Sequence, residues 1–195
     1  MKIAIDIDDT VLNFLDGFFS FYKKHHNPSF DYKREKVSNY LFEDILGIDT
    51  NKVISLFSEF KKTHFFKKMT PLDGAKEAII KLSKGNEIIF ITARPSDLNQ
   101  ETKEHLDSLF PKHNFQIIHS HDSKNNKIKE KADFCKDLGI EVIIEDDKKA
   151  ALNCAQKGIA CFLIDQPWNR DMGDCARIMR VKTWPEIVEK VTNLK

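Results

Sequence analysis

The sequence lacks the long apolar run, the signal segment and the excess charge that would direct a chain to a membrane or a polyanion. None of its apolar runs approaches the about 20 residues that a membrane-spanning helix needs. Acidic residues begin at Asp6, so the N-terminus shows no apolar signal segment with a cleavage site. The formal net charge of +1 gives no support to a general nucleic-acid-binding surface. We therefore expect a cytoplasmic protein with neither a membrane nor a nucleic acid as a partner.

The cysteines lack the spacing of a zinc or redox site. The chain has four of them, at positions 135, 154, 161 and 175. None forms a CxxC pair, and no histidines accompany them at zinc-finger spacing. We expect reduced, mostly buried thiols.

The composition is that of an ordinary globular protein, with 41% hydrophobic and 31% charged residues. There is no internal repeat and no low-complexity tract. A length of 195 residues fits one domain, or one domain that carries a modest insertion.

The second half of the chain alternates continuous apolar runs with amphipathic segments. Continuous runs are typical of parallel strands that are buried on both faces. With a first strand in "KIAIDI", they predict an α/β fold with a doubly wound parallel sheet. The runs are 87–92, 115–120, 141–146 and 159–165, followed by "RIMRV" and a helix that Thr183 and Glu186 would begin as a capping box.

Residues 13–68 interrupt this alternation. They contain ten of the fifteen phenylalanines and no strand-like run. Two amphipathic helices are predicted there, one marked by Leu15, Phe18, Phe19 and Tyr22, the other by Val53, Ile54, Phe57 and Phe60. We expect a small all-helical cap over 13–68, inserted after the first strand of a core formed by 1–12 and 69–195.

Polar residues follow several of the predicted strands directly. Because the carboxyl ends of parallel strands meet at one edge of a sheet, we expect these residues to converge. Acidic clusters from distant parts of the chain would repel each other unless a cation lay between them. Oxygen ligands alone favour a hard ion, and Mg²⁺ in particular. The residues are Asp6, Asp8 and Asp9, then Thr92 and Arg94, then Glu145, Asp146 and Asp147.

These motifs resemble those of the haloacid dehalogenase-like phosphohydrolases. "DIDDT" is similar to the DxDx[TV] signature of that superfamily, "IIFIT" to its second motif and "VIIEDD" to its acidic fourth motif. The resemblance extends over nearly the whole chain to the 5'(3')-deoxyribonucleotidases. This closer resemblance depends on the order in which several segments follow one another along the chain. They are "DIDDTVLNF", Phe65-Phe66, "PLDGA", "EDDK", "WNR" and a terminal "W-x-E-I" helix.

The resemblance implies a role for each motif residue. Asp6 would be the nucleophile that forms an aspartyl-phosphate, and Asp8 would exchange protons with the leaving group and with water. Mg²⁺ would be held by Asp6, by the backbone carbonyl of Asp8 and by Asp146. The Thr92 hydroxyl and the backbone N–H of Ala93 would bind the phosphate, unless Thr92 is only a helix N-cap or turn residue.

The lysine of the third motif has several candidates. Lys131 has the spacing of related sequences, and Lys127 is the next choice, although Lys124 and Lys129 also lie in this region. Some neighbouring residues receive weaker assignments. Glu145 would shape the site without binding the metal, Asp147 would be exposed, and Asp9 would be a tolerated spacer. Arg94 would either contact the phosphate or form a structural ion pair.

Aromatic residues are candidates for binding a nucleobase. In the family that the chain resembles, aromatics matching Phe14, Phe65 and Phe66 form the base pocket, and flat rings stack on bases. The alternative is that these rings build the core of a phenylalanine-rich cap. Trp168 and Asn169 follow the 159–165 run and would lie at the same edge of the sheet.

We therefore expect a Mg²⁺-dependent phosphatase of nucleoside monophosphates, in particular a deoxyribonucleotidase, which acts as a monomer or homodimer. One alternative is a phosphatase of other small phosphate esters or of polynucleotide 3' ends, although the latter would need a basic groove. Another is a non-catalytic binding module with the same fold, which would typically have lost one of the acidic residues.

Overall fold

A computed structural model of the chain describes residues 1–194. The strands in this range are β1 (Lys2–Ile5), β2 (Glu87–Pro95), β3 (Gln116–Asp122), β4 (Lys127–Ile128), β5 (Val142–Glu145), β6 (Ala160–Ile164) and β7 (Ile178–Val181). They form one sheet in the order β4-β3-β2-β1-β5-β6-β7. Neighbours are parallel except for β3 and β4, which are antiparallel. The predicted α/β fold is confirmed, whereas the short strand β4 was not predicted.

Helices cover both faces of the sheet. In the described residues they are α1 (Phe14–His25), α2 (Phe42–Leu46), α3 (Thr50–Phe60), α4 (His64–Lys67), α5 (Ala75–Ser83), α6 (Asn99–Leu109), α7 (Lys131–Asp137), α8 (Lys148–Gln156) and α9 (Trp184–Asn193). Side chains alternate along each strand and therefore enter two apolar clusters. Ile3 and Ile5 of β1 share one cluster with α5 and α9, and Ala4 shares the other with α7 and α8.

Residues 13–68 form helices α1 to α4 and the loops between them. The four apolar residues predicted to mark the first helix are all buried in α1. The phenylalanine rings of this segment pack largely on one another, as where Phe18 lies 4.9 Å from Phe57 and 5.3 Å from Phe60 between ring centroids. The segment therefore has an aromatic core of its own, continuous with one cluster of the sheet.

Helix α3 buries most of the predicted face, except that Leu56 is buried and Ile54 is not. Ile54 was expected on the apolar face, but its side chain is 57% exposed, while Leu56 is only 1% exposed. Val53, Leu56 and Phe60 are the buried residues of this helix. They follow the i, i+3, i+7 spacing of one helical stripe, and Ile54 lies about 100° away from Val53 around the axis.

Helix α9 begins as the sequence predicts, with one difference in the capping box. The hydroxyl of Thr183 accepts a hydrogen bond from the backbone N–H of Glu186 at 3.3 Å. The carboxylate of Glu186 accepts the backbone N–H of Lys182 at 2.8 Å, one residue before the expected donor. Both bonds satisfy amide groups at the start of the helix.

The cysteines are free thiols, and Cys135, Cys154 and Cys161 are buried as predicted. Within residues 1–194, no helix combines the length and the apolar character that a membrane crossing requires.

Candidate active site

The strand ends of β1, β2 and β5 meet at the carboxyl edge of the sheet, because these three strands are neighbours. A cavity of about 330 Å³ opens at this edge. Of the residues to which the sequence assigned a catalytic, phosphate-binding or metal-binding role, Asp6, Asp8, Ala93, Lys131 and Asp146 line it. The other lining residues are Tyr40, Ser120, Ile128, Lys129, Glu130, Glu145, Asp147, Lys149, Ala150 and Trp168. The sequence thus predicted where the cavity lies, but assigned a role to only some of the residues that line it.

Lys131 is the lysine that reaches the acidic cluster. It is the first residue of α7, and its Nζ donates to Asp6 Oδ1 at 2.5 Å and also to Glu145 Oε1. Lys127, the other favoured candidate, is exposed on β4 and does not line the cavity. The remaining oxygen of Glu145 accepts the backbone N–H groups of Asp146 at 2.9 Å and Asp147 at 3.3 Å. Glu145 therefore fixes Lys131 and the following turn.

Asp146 is oriented by two side-chain donors that come from distant parts of the chain. Thr10 Oγ1 donates to Oδ1 at 3.1 Å, and the indole N–H of Trp168 donates to Oδ2 at 3.0 Å. The side-chain amide of Asn169 donates to the backbone carbonyl of Asp146 at 2.8 Å. Trp168 and Asn169, which were expected at this edge of the sheet, thus hold the side chain and the backbone of Asp146, respectively. Thr10 was missed as a functional residue, although it is the threonine of the "DIDDT" motif.

The acidic cluster suits a cation with oxygen ligands. Three carboxylate oxygens, one from each of Asp6, Glu145 and Asp146, lie within 4.8 Å of one another. Burial raises the pKa of the Asp6 carboxyl, Glu145 and Asp8 raise it further, and Lys131 opposes the shift. Burial also raises the pKa of Asp146 well above its usual range, and Glu145 and Asp6 add to this effect. A bound cation would relieve this unfavourable burial of charge. Glu145 is fully buried, and its two oxygens accept hydrogen bonds from Lys131 and from two backbone N–H groups.

Asp8 is paired with Arg94 through both carboxylate oxygens. Arg94 Nε donates to Oδ2 at 2.8 Å and a terminal guanidinium nitrogen donates to Oδ1 at 2.6 Å. Of the two roles considered for Arg94, the structure shows the ion pair. Thr92 is a buried residue of strand β2. Its hydroxyl oxygen accepts a hydrogen bond from the backbone N–H of Arg94 at 3.1 Å. Pro95 is the N-cap of the 3-10 turn Ser96–Leu98, so Thr92 is not a helix N-cap.

Asp9 is an anchor for the helical segment, and not the tolerated spacer that the sequence suggested. Its side chain is fully buried and accepts hydrogen bonds from Arg34 at 2.9 Å, from the hydroxyl of Tyr40 and from the backbone N–H of Leu15 at 3.2 Å. The Arg34 guanidinium also lies 5.0 Å from the ring centroid of Trp168. The loop that carries Arg34 and Tyr40 is thereby tied to the residue next to Asp8.

The structure does not place the three predicted base-contacting phenylalanines at the cavity. Phe14 packs edge-on against Phe60 at 5.6 Å, and Phe66 is buried with its ring 4.9 Å from the guanidinium of Arg94. Phe65 lies against His64, with 4.1 Å between ring centroids. All three belong to, or pack against, the apolar cluster of the helical segment. The aromatic rings that line the cavity are Tyr40 and Trp168, 5.0 Å apart.

Solved structures share this fold. A haloacid dehalogenase-like family hydrolase from Streptococcus pneumoniae superposes with a TM-score of 0.67 at 16% identity, covering 97% of each chain. A HAD family hydrolase from Deinococcus radiodurans, solved with bound phosphate and sodium, gives a TM-score of 0.67 at 15% identity. That comparison covers 98% of this chain and 95% of the other. The fold of this chain is therefore that of these two proteins.

Within that fold, the chain is a phosphoric monoester hydrolase of the nucleotidase type. It belongs to the family described as 5' nucleotidase, deoxy (pyrimidine), cytosolic type C, whose model matches residues 1–195. It is also 27% identical over 205 residues to a nucleotidase of Clostridium acetobutylicum, covering 100% of this chain and 95% of that protein. The resemblance indicated by the sequence motifs is confirmed.

Proposed function

We propose that the chain is a Mg²⁺-dependent phosphatase that hydrolyses nucleoside monophosphates, in particular deoxyribonucleotides, through an aspartyl-phosphate on Asp6. The observation that supports this most strongly is the arrangement at one cavity. Asp6 contacts Lys131 there, and its carboxylate lies within 4.8 Å of the Asp146 carboxylate. Asp8 lines the same cavity two residues further along the chain.

The residues present fit a magnesium ion. The carboxylates of Asp6 and Asp146 and the backbone carbonyl of Asp8 would hold it, since the Asp8 carboxylate is already engaged by Arg94. When bound, the ion supplies positive charge that screens the repulsion between the attacking carboxylate and the phosphate. Thr10 and Trp168 would keep Asp146 directed toward it.

The chemistry follows in two displacements at phosphorus. A carboxylate oxygen of Asp6 forms a bond to phosphorus while the ester P–O bond breaks, and the proton of the Asp8 carboxyl passes to the departing oxygen. A water oxygen then attacks the same phosphorus, and its proton passes to the Asp8 carboxylate. The bond between phosphorus and Asp6 breaks, which restores Asp6 and releases inorganic phosphate.

The phosphate oxygens need hydrogen-bond donors in the same cavity. The ammonium group of Lys131 and the backbone N–H of Ala93 are candidates from the cavity wall. Burial works against the charged form of Lys131, but the Asp6 and Glu145 carboxylates outweigh it and raise the pKa of this lysine well above its usual value. Thr92 uses its oxygen as an acceptor for Arg94, so its hydroxyl hydrogen remains to donate.

We assign 1–12 and 69–195 to the catalytic core and 13–68 to a cap that closes over it. In support of this division, Tyr40 of the helical segment lines the cavity opposite core residues. Tyr40, Trp168 and Ile128 give the cavity apolar walls, and the Ile128 side chain is 74% exposed at strand β4. The nucleoside part of the substrate would lie against these three side chains, and not against Phe14, Phe65 or Phe66.

A panel of phosphate esters tests the proposal. Release of inorganic phosphate is measured from ribo- and deoxyribonucleoside 5'- and 3'-monophosphates and from sugar phosphates, with Mg²⁺ and with EDTA. We expect turnover of the nucleotides only with Mg²⁺. Faster hydrolysis of sugar phosphates would contradict the substrate assignment and leave the mechanism intact.

Asp6→Asn tests the nucleophile, and Asp171→Asn is the matched control. The control makes the same change at an exposed aspartate that pairs with Lys148 at 2.6 Å. We expect the first variant to lose turnover and the second to retain it. Full activity of Asp6→Asn would exclude the aspartyl-phosphate on this residue.

A further inference from the structure

We propose that Arg94 is a positioning residue for Asp8, and that it holds the carboxylate that exchanges protons with the leaving group and with water. This role rests on the proposed function, because it concerns the same reaction. The assignment comes from the contacts that Arg94 makes in this structure.

The Arg94–Asp8 contact has the geometry of a two-point clamp. Two guanidinium nitrogens donate to the two carboxylate oxygens, at 2.6 and 2.8 Å. The Arg94 side chain is 3% exposed and that of Asp8 is 22% exposed. A planar guanidinium that donates to both oxygens fixes the carboxylate plane as well as its distance. Asp8 therefore presents one defined edge to the cavity.

Arg94 is itself held from three sides. Its backbone N–H donates to Thr92 Oγ1 at 3.1 Å, and another guanidinium nitrogen donates to Thr102 Oγ1 of α6 at 3.3 Å. The Phe66 ring of α4 lies 4.9 Å from the guanidinium carbon. Contacts from β2, α6 and the helical segment thus define where the guanidinium lies, and so where the Asp8 carboxylate lies.

These contacts leave Arg94 outside the wall of the cavity in which the phosphate would bind. Arg94 does not line the cavity, whereas Asp6, Asp8 and Lys131 do. Removal of the guanidinium should therefore disturb the proton transfers made by Asp8 and leave substrate binding largely intact. The loss of rate should depend on the leaving group. A phenolate of low pKa can depart without receiving a proton, whereas an alkoxide needs a proton from Asp8 as it departs.

The experiment compares Arg94→Met with wild type on two esters, a deoxyribonucleoside monophosphate and p-nitrophenyl phosphate. We expect kcat/KM for the nucleotide to fall about 100-fold, the scale of a misplaced general acid. For p-nitrophenyl phosphate we expect kcat/KM to fall less than about 5-fold, and KM for both esters to change less than about 2-fold. Arg94→Lys should give an intermediate loss, because an ammonium cannot donate to both oxygens in one plane.

Two further variants distinguish positioning from general damage. Arg170→Met is the matched control, since Arg170 also donates twice to one aspartate, Asp165, at 3.0 and 3.1 Å, but is exposed. It should leave both activities unchanged. In an Asp8→Asn background, Arg94→Met should cause little further loss, because the group through which it acts is already gone.

The outcomes separate this role from the proposed function. Equal losses of kcat/KM on the two esters, or an additive loss in the Asp8→Asn background, would overturn the positioning role. A raised KM with unchanged kcat would instead make Arg94 a phosphate-binding residue. If Arg94→Met does not fold, Thr102→Val should reproduce the leaving-group pattern at smaller amplitude, and equal losses there would equally refute the role. Wild-type protein without turnover on either ester would overturn the proposed function, and this role with it.

Discussion

Trp168 offers a direct way to test whether Asp146 binds the metal. Its indole N–H donates to Asp146 Oδ2 at 3.0 Å in a buried environment. Trp168→Phe keeps an aromatic ring and removes this donor. A hydrogen bond to a charged group contributes about 1.5–3 kcal/mol, and loss of a partner that orients a metal ligand typically costs about 10–100-fold in metal affinity. We therefore expect the Mg²⁺ concentration for half-maximal activity to rise at least about 10-fold.

Trp184→Phe is the control for this change. Trp184 is also buried, and its indole N–H donates at 3.1 Å to the backbone carbonyl of Thr10, not to a carboxylate. Both variants lose a similar buried hydrogen bond, so both should lose stability. Only Trp168→Phe should shift the Mg²⁺ activation curve. Because the chain has two tryptophans, Trp184→Phe also leaves Trp168 as the sole indole fluorophore to report Mg²⁺ binding. An unchanged curve for Trp168→Phe, or equal shifts in both variants, would show that the Trp168 hydrogen bond does not orient a metal ligand.

Two further predictions concern stability, measured as the free energy of unfolding in urea. Arg34→Met leaves the buried carboxylate of Asp9 without its ion pair and should cost about 3 kcal/mol, against less than about 1 kcal/mol for the exposed Arg170→Met. Burial raises the pKa of Asp9 to about 6, although Arg34 opposes this shift, so loss of Arg34 raises the pKa further. The cost should therefore be smaller at pH 5, where Asp9 is largely protonated, than at pH 8. Equal costs at both pH values would show that packing, and not charge, dominates. Leu56→Ala should cost about 2–4 kcal/mol and Ile54→Ala less than about 0.5 kcal/mol, and the reverse order would contradict the burial of this helix.

The strands of the core could be predicted because burial on both faces leaves a continuous apolar run. The run 87–92 became Glu87–Pro95, and 141–146 contains Val142–Glu145. Strand order brings the ends of β1, β2 and β5 together, so acidic residues that follow β1 and β5 had to meet. The acidic part of the candidate site followed from the sequence for this reason.

Other features depend on packing that no local pattern encodes. Ile54 and Leu56 are both apolar, and only the docking of α3 decides which of them is buried. Likewise, a phenylalanine that lines a cavity and one that fills a core look the same in sequence, as Phe14 illustrates. The partners of Asp9 could not be foreseen either, since Arg34 and Tyr40 lie in a stretch without helical or strand periodicity.

In the proposed mechanism, Asp6 carries the phosphoryl group during turnover. Rapid acid quenching of the enzyme during hydrolysis of a deoxyribonucleoside monophosphate with Mg²⁺, followed by peptide mass spectrometry, tests it directly. We predict one phosphoryl group on the peptide that contains Asp6, formed only with Mg²⁺ and absent in Asp6→Asn. Burst release of the nucleoside without any phosphorylated Asp6 peptide, or a phosphoryl group on another residue, would exclude Asp6 as the nucleophile.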